Sequence, residues 1–128
     1  MIAPVTTLYA SLLGLLLVFL SWQVSANRRR ARVSLGAGDD PALERAARAQ
    51  GNFVEYVPVA LLLLFLLEQE VTSLWLLHVL GSMLLLGRIV HAWGLLQPGS
   101  VNRGRWWGTV LTWSMIVGSS TLNLWHLV

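Results

Sequence analysis

Six side chains in this sequence have the types and spacing needed to hold a small charged molecule. Arg48, Asn52 and Glu55 follow one another at i, i+4 and i+7; Arg45, three residues ahead of Arg48, lies near the headgroups and is read as a snorkelling side chain outside these six. On a helix of 3.6 residues per turn these four fall within an arc of about 80°. Arg88 and His91 share a helix face by the same i, i+3 rule. Arg105 follows further along the chain. Guanidinium groups match carboxylates as forked donors, and the carboxylate of Glu55 complements a cation. The chain contains no cysteine, so it has no disulfide, no thiolate metal ligand and no nucleophilic thiol of its own. No pair of its three histidines has metal-ligand spacing with carboxylate support, so no metal site is expected.

The elements that position these groups follow from composition. The chain has 128 residues, of which 55% are hydrophobic and 12% charged, and its mean hydropathy is +0.64. A soluble domain is about 25% charged, and so apolar a chain would collapse rather than stay disordered. The net charge is +3 and all nine basic residues are arginine. There is no soluble face to carry a phosphate-tracking groove, so nucleic acid is not an expected partner. A membrane-crossing helix needs about 20 apolar residues, which leaves space for four spans and no separate soluble domain. The expected fold is therefore all-α, a four-helix integral membrane bundle forming one domain over residues 1–128.

The spans are expected at about residues 5–26, 41–67, 74–96 and 105–127. Pro4 fits the first turn of span one. Arg28, Arg29, Arg30 and Arg32 follow that apolar run rather than precede it, the reverse of a cleaved signal peptide. Asp39-Asp40-Pro41 reads as a capped helix start. Pro58 lies inside span two, where proline kinks a helix or frees one carbonyl. Thr72 or Ser73 is placed to cap span three, and Gln97-Pro98-Gly99 ends it.

Arginine placement gives direction. Links one and three hold Arg28, Arg29, Arg30, Arg32, Arg103 and the bordering Arg105, whereas link two holds Glu68 and Glu70. The excess of positive charge marks the cytosolic side, so links one and three are expected in the cytosol and both termini outside. Trp22, Trp93, Trp106 and Trp107 fit one interfacial belt, and Trp75 and Trp125 the other. Trp113 is mid-span and fits neither.

A charge at the bilayer centre costs roughly 2.5–3.5 kcal/mol, so intramembrane charges face the bundle or water and mark function. By depth, the polar groups of spans two, three and four all converge on the cytosolic half. The outer half of spans two and three offers only His78 as an ionisable step, which argues against a transport path. Two readings stay open on the residues alone: a pocket for a small cytosolic ligand, or a buried ion-pair network of Arg48, Glu55 and Arg88 that holds the helices in register. His78 is expected as a hydrogen-bonded histidine of the bundle and His126 as an interfacial one. Gly81, Ser82 and Gly87 allow close helix approach.

The stretch from Glu44 to Pro58, ERAARAQGNFVEYVP, resembles the second-helix signature E-R-x-x-R-A-H-x-N-x-x-E-x-x-P of the MAPEG family, the membrane-associated proteins of eicosanoid and glutathione metabolism. Gly87-Arg88-Ile89-Val90-His91 is similar to the family's third-helix G-R-x-x-H, and Arg105 sits where members carry a basic residue opening helix four. The resemblance implies homotrimers with glutathione, as co-substrate, bound between subunits near the cytosolic face. It implies that Arg48, Asn52, Glu55, Arg88 and His91 line that site and that Arg105 is the catalytic group stabilising the thiolate, since a nearby cation lowers a thiol pKa. A hydrophobic electrophile or lipid peroxide would reach the thiolate from the bilayer.

The sequence departs from the family pattern at three positions. Gln50 stands where members have His, Gly51 where some have a further Arg, and Leu95 where the eukaryotic eicosanoid enzymes have Tyr. These departures set it beside the short bacterial branch and away from eicosanoid synthesis. The expected function is a glutathione-dependent transferase or peroxidase of the bacterial inner membrane, with membrane lipid, a hydrophobic small molecule and its own copies as partners. The alternative is a non-catalytic lipid- or thiol-binding module on the same scaffold.

Overall fold

The computed structural model describes residues 1–99 and 102–128. Four helices follow in order: α1, Pro4–Ala31; α2, Pro41–Glu70; α3, Leu74–Leu96; and α4, Arg103–Trp125. α2 and α3 each pack against the three other helices, and among the described residues α1 and α4 do not meet. α1, α2 and α3 are each long and apolar enough to cross a membrane. The outward surface is apolar too, with Leu15 71%, Val18 67% and Val117 64% exposed. A water-soluble monomer does not leave apolar residues of several helices uncovered in this way. The molecule is an integral membrane bundle.

Local chemistry sets the helix ends. Asp40 caps α2 by accepting the Leu43 N–H at 2.8 Å, with Pro41 in the first turn. Its carboxylate also accepts from Arg30 at 2.6 Å, tying the end of α1 to the start of α2. α1 runs past the expected end at Ala26 because Arg28, Arg29 and Arg30 are good helix formers whose charge suits a helix C-terminus. It stops at Arg32, which takes the left-handed conformation at φ 56°. α2 continues unbroken through Pro58, which lies on an exposed face. Ser73 stands at the cap of α3 but its hydroxyl makes no capping bond. α4 begins two residues earlier than expected, because Asn102 caps it by accepting the Arg105 N–H at 3.0 Å.

The main core is built from Leu13 and Leu20 of α1, Leu64 and Leu67 of α2, Leu77 and Leu84 of α3, and Met115 of α4, all buried. A smaller cluster of Val24, Leu43 and Ala46 closes the arginine-rich end. Small residues bring α3 and α4 into contact. A Cβ on Gly108 would lie 2.4 Å from the His91 Cβ and 2.6 Å from the Gly87 carbonyl oxygen, so only glycine permits this crossing. Gly81 does the same for the Tyr9 ring of α1. That tyrosine hydroxyl lies 3.2 Å from His78 Nδ1 and 2.8 Å from Ser82 Oγ, so His78 is hydrogen-bonded within the bundle.

Candidate functional site

The buried stripe of α2 is Ala49, Phe53, Val57, Ala60, Leu64 and Leu67. These positions follow the helical repeat and face the bundle. Arg48, Asn52 and Glu55 precede stripe residues by one or two positions, which rotates them onto the adjoining flank. Arg48 and Glu55 are exposed there, and Asn52 is half-buried.

α3 and α4 bring the remaining groups to that flank. Gly108 packs closely on the backbone and Cβ of His91, a residue that is 5% exposed. The cap residue Asn102 sets the position of Arg105. While its Oδ1 accepts the Arg105 N–H, its Nδ2 donates to the Gly94 carbonyl at the end of α3. Arg105 therefore sits in the first turn of α4, within a junction stitched directly to α3.

The result is one cavity of about 220 Å³ whose wall includes Arg48, Gly51, Asn52, Glu55, His91, Leu95 and Arg105. Residues from three helices thus meet around a single space, rich in cationic groups and holding one carboxylate. A second, wider cavity of about 520 Å³ adjoins it and shares Asn52, His91 and Arg105. Its outer wall is aromatic, formed by Tyr56, Trp106 and Trp113. Trp113, which matched neither interfacial belt, lines this opening. Among the described residues of the single chain no ion pair joins Arg48, Glu55 and Arg88.

Arg88 is set back from both cavities. It is 2% exposed and donates from Nη1 to Asn52 Oδ1 at 2.6 Å and from Nε to Thr112 Oγ1 at 3.1 Å. Its guanidinium lies 5.7 Å from the Tyr56 ring centroid, within cation–π range. The sequence reading placed Arg88 against the ligand, whereas here it contacts the wall residue Asn52 from behind.

The three departures from the family pattern have distinct surroundings. Gln50 turns away from the cavity and donates to Ser21 Oγ of α1 at 2.8 Å. Gly51 lines the cavity, and a Cβ there would meet nothing within 4 Å. Leu95 contributes an apolar patch with no hydroxyl. Sequence reasoning missed Asn102, Thr112 and Tyr56. Asn102 carried a signal, since Asn directly before a helix is a favoured cap. Thr112 and Tyr56 matter only through contacts with Arg88 across helices, which spacing along one helix does not reveal.

Comparison with known proteins gives a consistent result. The model of the MAPEG family matches residues 6–125. The inner membrane protein YecN of Escherichia coli strain K12 is 36% identical over 123 residues, covering 96% of this chain and 92% of that protein. The protein of the same name from Escherichia coli O6:H1, strain CFT073, is similar to the same degree.

Proposed function

The chain belongs to the MAPEG family, and on that premise we propose that it is a glutathione-dependent transferase or peroxidase acting on hydrophobic electrophiles or lipid peroxides. The observation that carries this reading is the single cavity onto which Arg48, Asn52, Glu55, His91 and Arg105 converge from three helices. In this reading Arg48 and Asn52 donate to a carboxylate of glutathione, and Glu55 accepts its ammonium. Arg105 lies beside the thiol and favours the thiolate. The aromatic cavity next to it opens a route for an apolar second substrate to reach the sulfur.

The same reading has the protein in the inner membrane, the location named for its relative YecN. Its termini lie outside and the arginine-rich links lie in the cytosol. It assembles as a homotrimer. Supporting the assembly, Glu55 and Arg48 are exposed on a single chain at a helix that crosses the bilayer. A charged pair facing hydrocarbon is costly, and a neighbouring subunit that covers this flank removes the cost.

Glutathione binding to detergent-purified protein, read by thermal shift and by thiolate absorbance, tests the proposal. Both signals are expected in the wild type, and both should weaken in Arg105→Ala and Glu55→Ala. Absence of both signals, or their survival unchanged in both variants, overturns it. Leu95 in the cavity wall favours a second reading, a thiol-binding module without turnover. Single-turnover conjugation of glutathione to a chloro-nitrobenzene acceptor separates the two, because acceleration excludes the module.

A further inference from the structure

Arg88 is a buried cation, and among the described residues no carboxylate neutralises it. Such a group leaves water only when its donors are matched by well-placed acceptors. Here those acceptors are neutral: Asn52 Oδ1, Thr112 Oγ1 and the face of Tyr56. An arginine has five N–H donors and no acceptor. The side-chain amide of Asn52 therefore has only one orientation compatible with the 2.6 Å contact, with its oxygen turned toward Arg88. Its Nδ2 is left on the opposite edge of a planar group that lines both cavities.

We propose that Arg88 is a positioning residue that locks the Asn52 amide with its N–H groups facing the cavity, so that this subsite takes a hydrogen-bond acceptor, a carboxylate or carbonyl of the ligand, and refuses an ammonium. The inference deepens the glutathione reading, on which its binding arm rests. It gives the bound molecule a direction. Asn52 lies one turn beyond Arg48 and one turn before Glu55 on the same flank of α2. With Asn52 restricted to donating, the acceptor side of the flank extends from Arg48 through Asn52, and Glu55 alone is left for the cationic end. Contact with a guanidinium also polarises the amide, which strengthens its N–H as a donor. An unlocked Asn52 would offer its oxygen half the time and lose this discrimination.

A double-mutant cycle on glutathione affinity tests the claim, using Arg88→Met, Asn52→Ala and the pair. Arg88→Met in the wild-type background should weaken binding by about tenfold, the loss of one hydrogen bond to a charged ligand group. In the Asn52→Ala background the same change should have little further effect. Arg88→Lys, which still donates to Oδ1, should recover most of the affinity. Equal losses from Arg88→Met in both backgrounds would mean that Arg88 acts on the ligand without Asn52, and would overturn the proposal. A second readout needs no ligand: the 15N side-chain amide resonances of Asn52 in detergent. They should shift in Arg88→Lys relative to wild type and show faster amide rotation in Arg88→Met. If the wild type binds no glutathione, the glutathione reading fails while the amide resonances still decide the orientation, and resonances indifferent to both Arg88 variants overturn it. Should Arg88→Met not fold, Arg88→Lys and Arg88→Gln carry both readouts.

Discussion

The carboxylate of Glu68, in the last turn of α2, accepts the backbone N–H of Thr6 in the first turn of α1 at 2.7 Å. Its other oxygen accepts the Val5 N–H at 2.8 Å. Ala3, at the cap position of α1, supplies no side-chain acceptor, so Glu68 caps the helix from a distance of more than sixty residues along the chain. The expected cost of Glu68→Ala is about 1–2 kcal/mol, the scale of a lost N-cap. Glu68→Gln keeps one oxygen and should lose roughly half of that. Thermal unfolding in detergent measures both, and equal stability of all three proteins would show that the cap contributes nothing.

The α3–α4 crossing gives a matched pair of glycine substitutions. Gly108→Ala drives a methyl group into His91 and the Gly87 carbonyl, with an expected penalty of about 1–3 kcal/mol for overpacking. Because His91 lines the cavity, glutathione binding should fall with it. A Cβ on Gly118 would meet only Leu80, at 3.7 Å. Gly118→Ala should therefore be neutral or stabilising by up to about 1 kcal/mol through helix propensity. Unfolding scans of the two variants read the difference in sign.

Acid should loosen the first link. The hydrogen bond from Arg30 and the capping bond from Leu43 hold the Asp40 carboxyl below its ordinary value. A carboxyl lowered in the folded state contributes stability that is fully present above the ordinary carboxylate range and is lost as pH falls through the depressed value. Wild type should therefore lose stability relative to Asp40→Asn on acidification below about pH 4, and the two should run parallel at neutral pH. Both partners face solvent, so salt should shrink the effect. Melting temperatures against pH at two ionic strengths provide the check.

Gly51 occupies open space in the cavity wall. Gly51→Arg should be accommodated without loss of stability, helped by about 0.8 kcal/mol of helix propensity. Under the proposed function it adds a guanidinium beside the carboxylate subsite and should tighten glutathione several-fold at low ionic strength. Isothermal calorimetry of the variant decides this, and weaker binding would place the carboxylate elsewhere.

Much of this architecture was legible because it depends on patterns along single helices. The runs of apolar residues and the three breaks between them, at Gly36 and Gly38, at Glu68-Gln69-Glu70, and at Pro98 and Gly99, give four helices. The i, i+4, i+7 spacing of Arg48, Asn52 and Glu55 puts them on one flank of α2 whatever the tertiary packing. Across helices, spacing is silent. That Arg88 meets Asn52 and Thr112 rather than the cavity depends on how α3 sits against both α2 and α4, and Gly108, which sets the α3–α4 distance, carries no signal of this in the spacing along its own helix. Glu68 read as one of two acidic residues in a link, because its partners are main-chain groups of α1 that leave no trace in side-chain identity. Gln50 likewise registered as a departure from a motif, and its bond to Ser21 gives it a structural task.

The uneven hydropathy of the four helices has a consequence for biogenesis. α4 is not among the helices apolar enough to cross a membrane independently. It carries Thr109, Thr112 and Thr121, whose hydroxyls donate back to carbonyls one turn earlier. It packs on α3 along a glycine seam, as the second arm of a hairpin. On this basis α4 is expected to enter the bilayer together with α3, which precedes it in the chain, with Arg105 taking its place once the seam between them has closed.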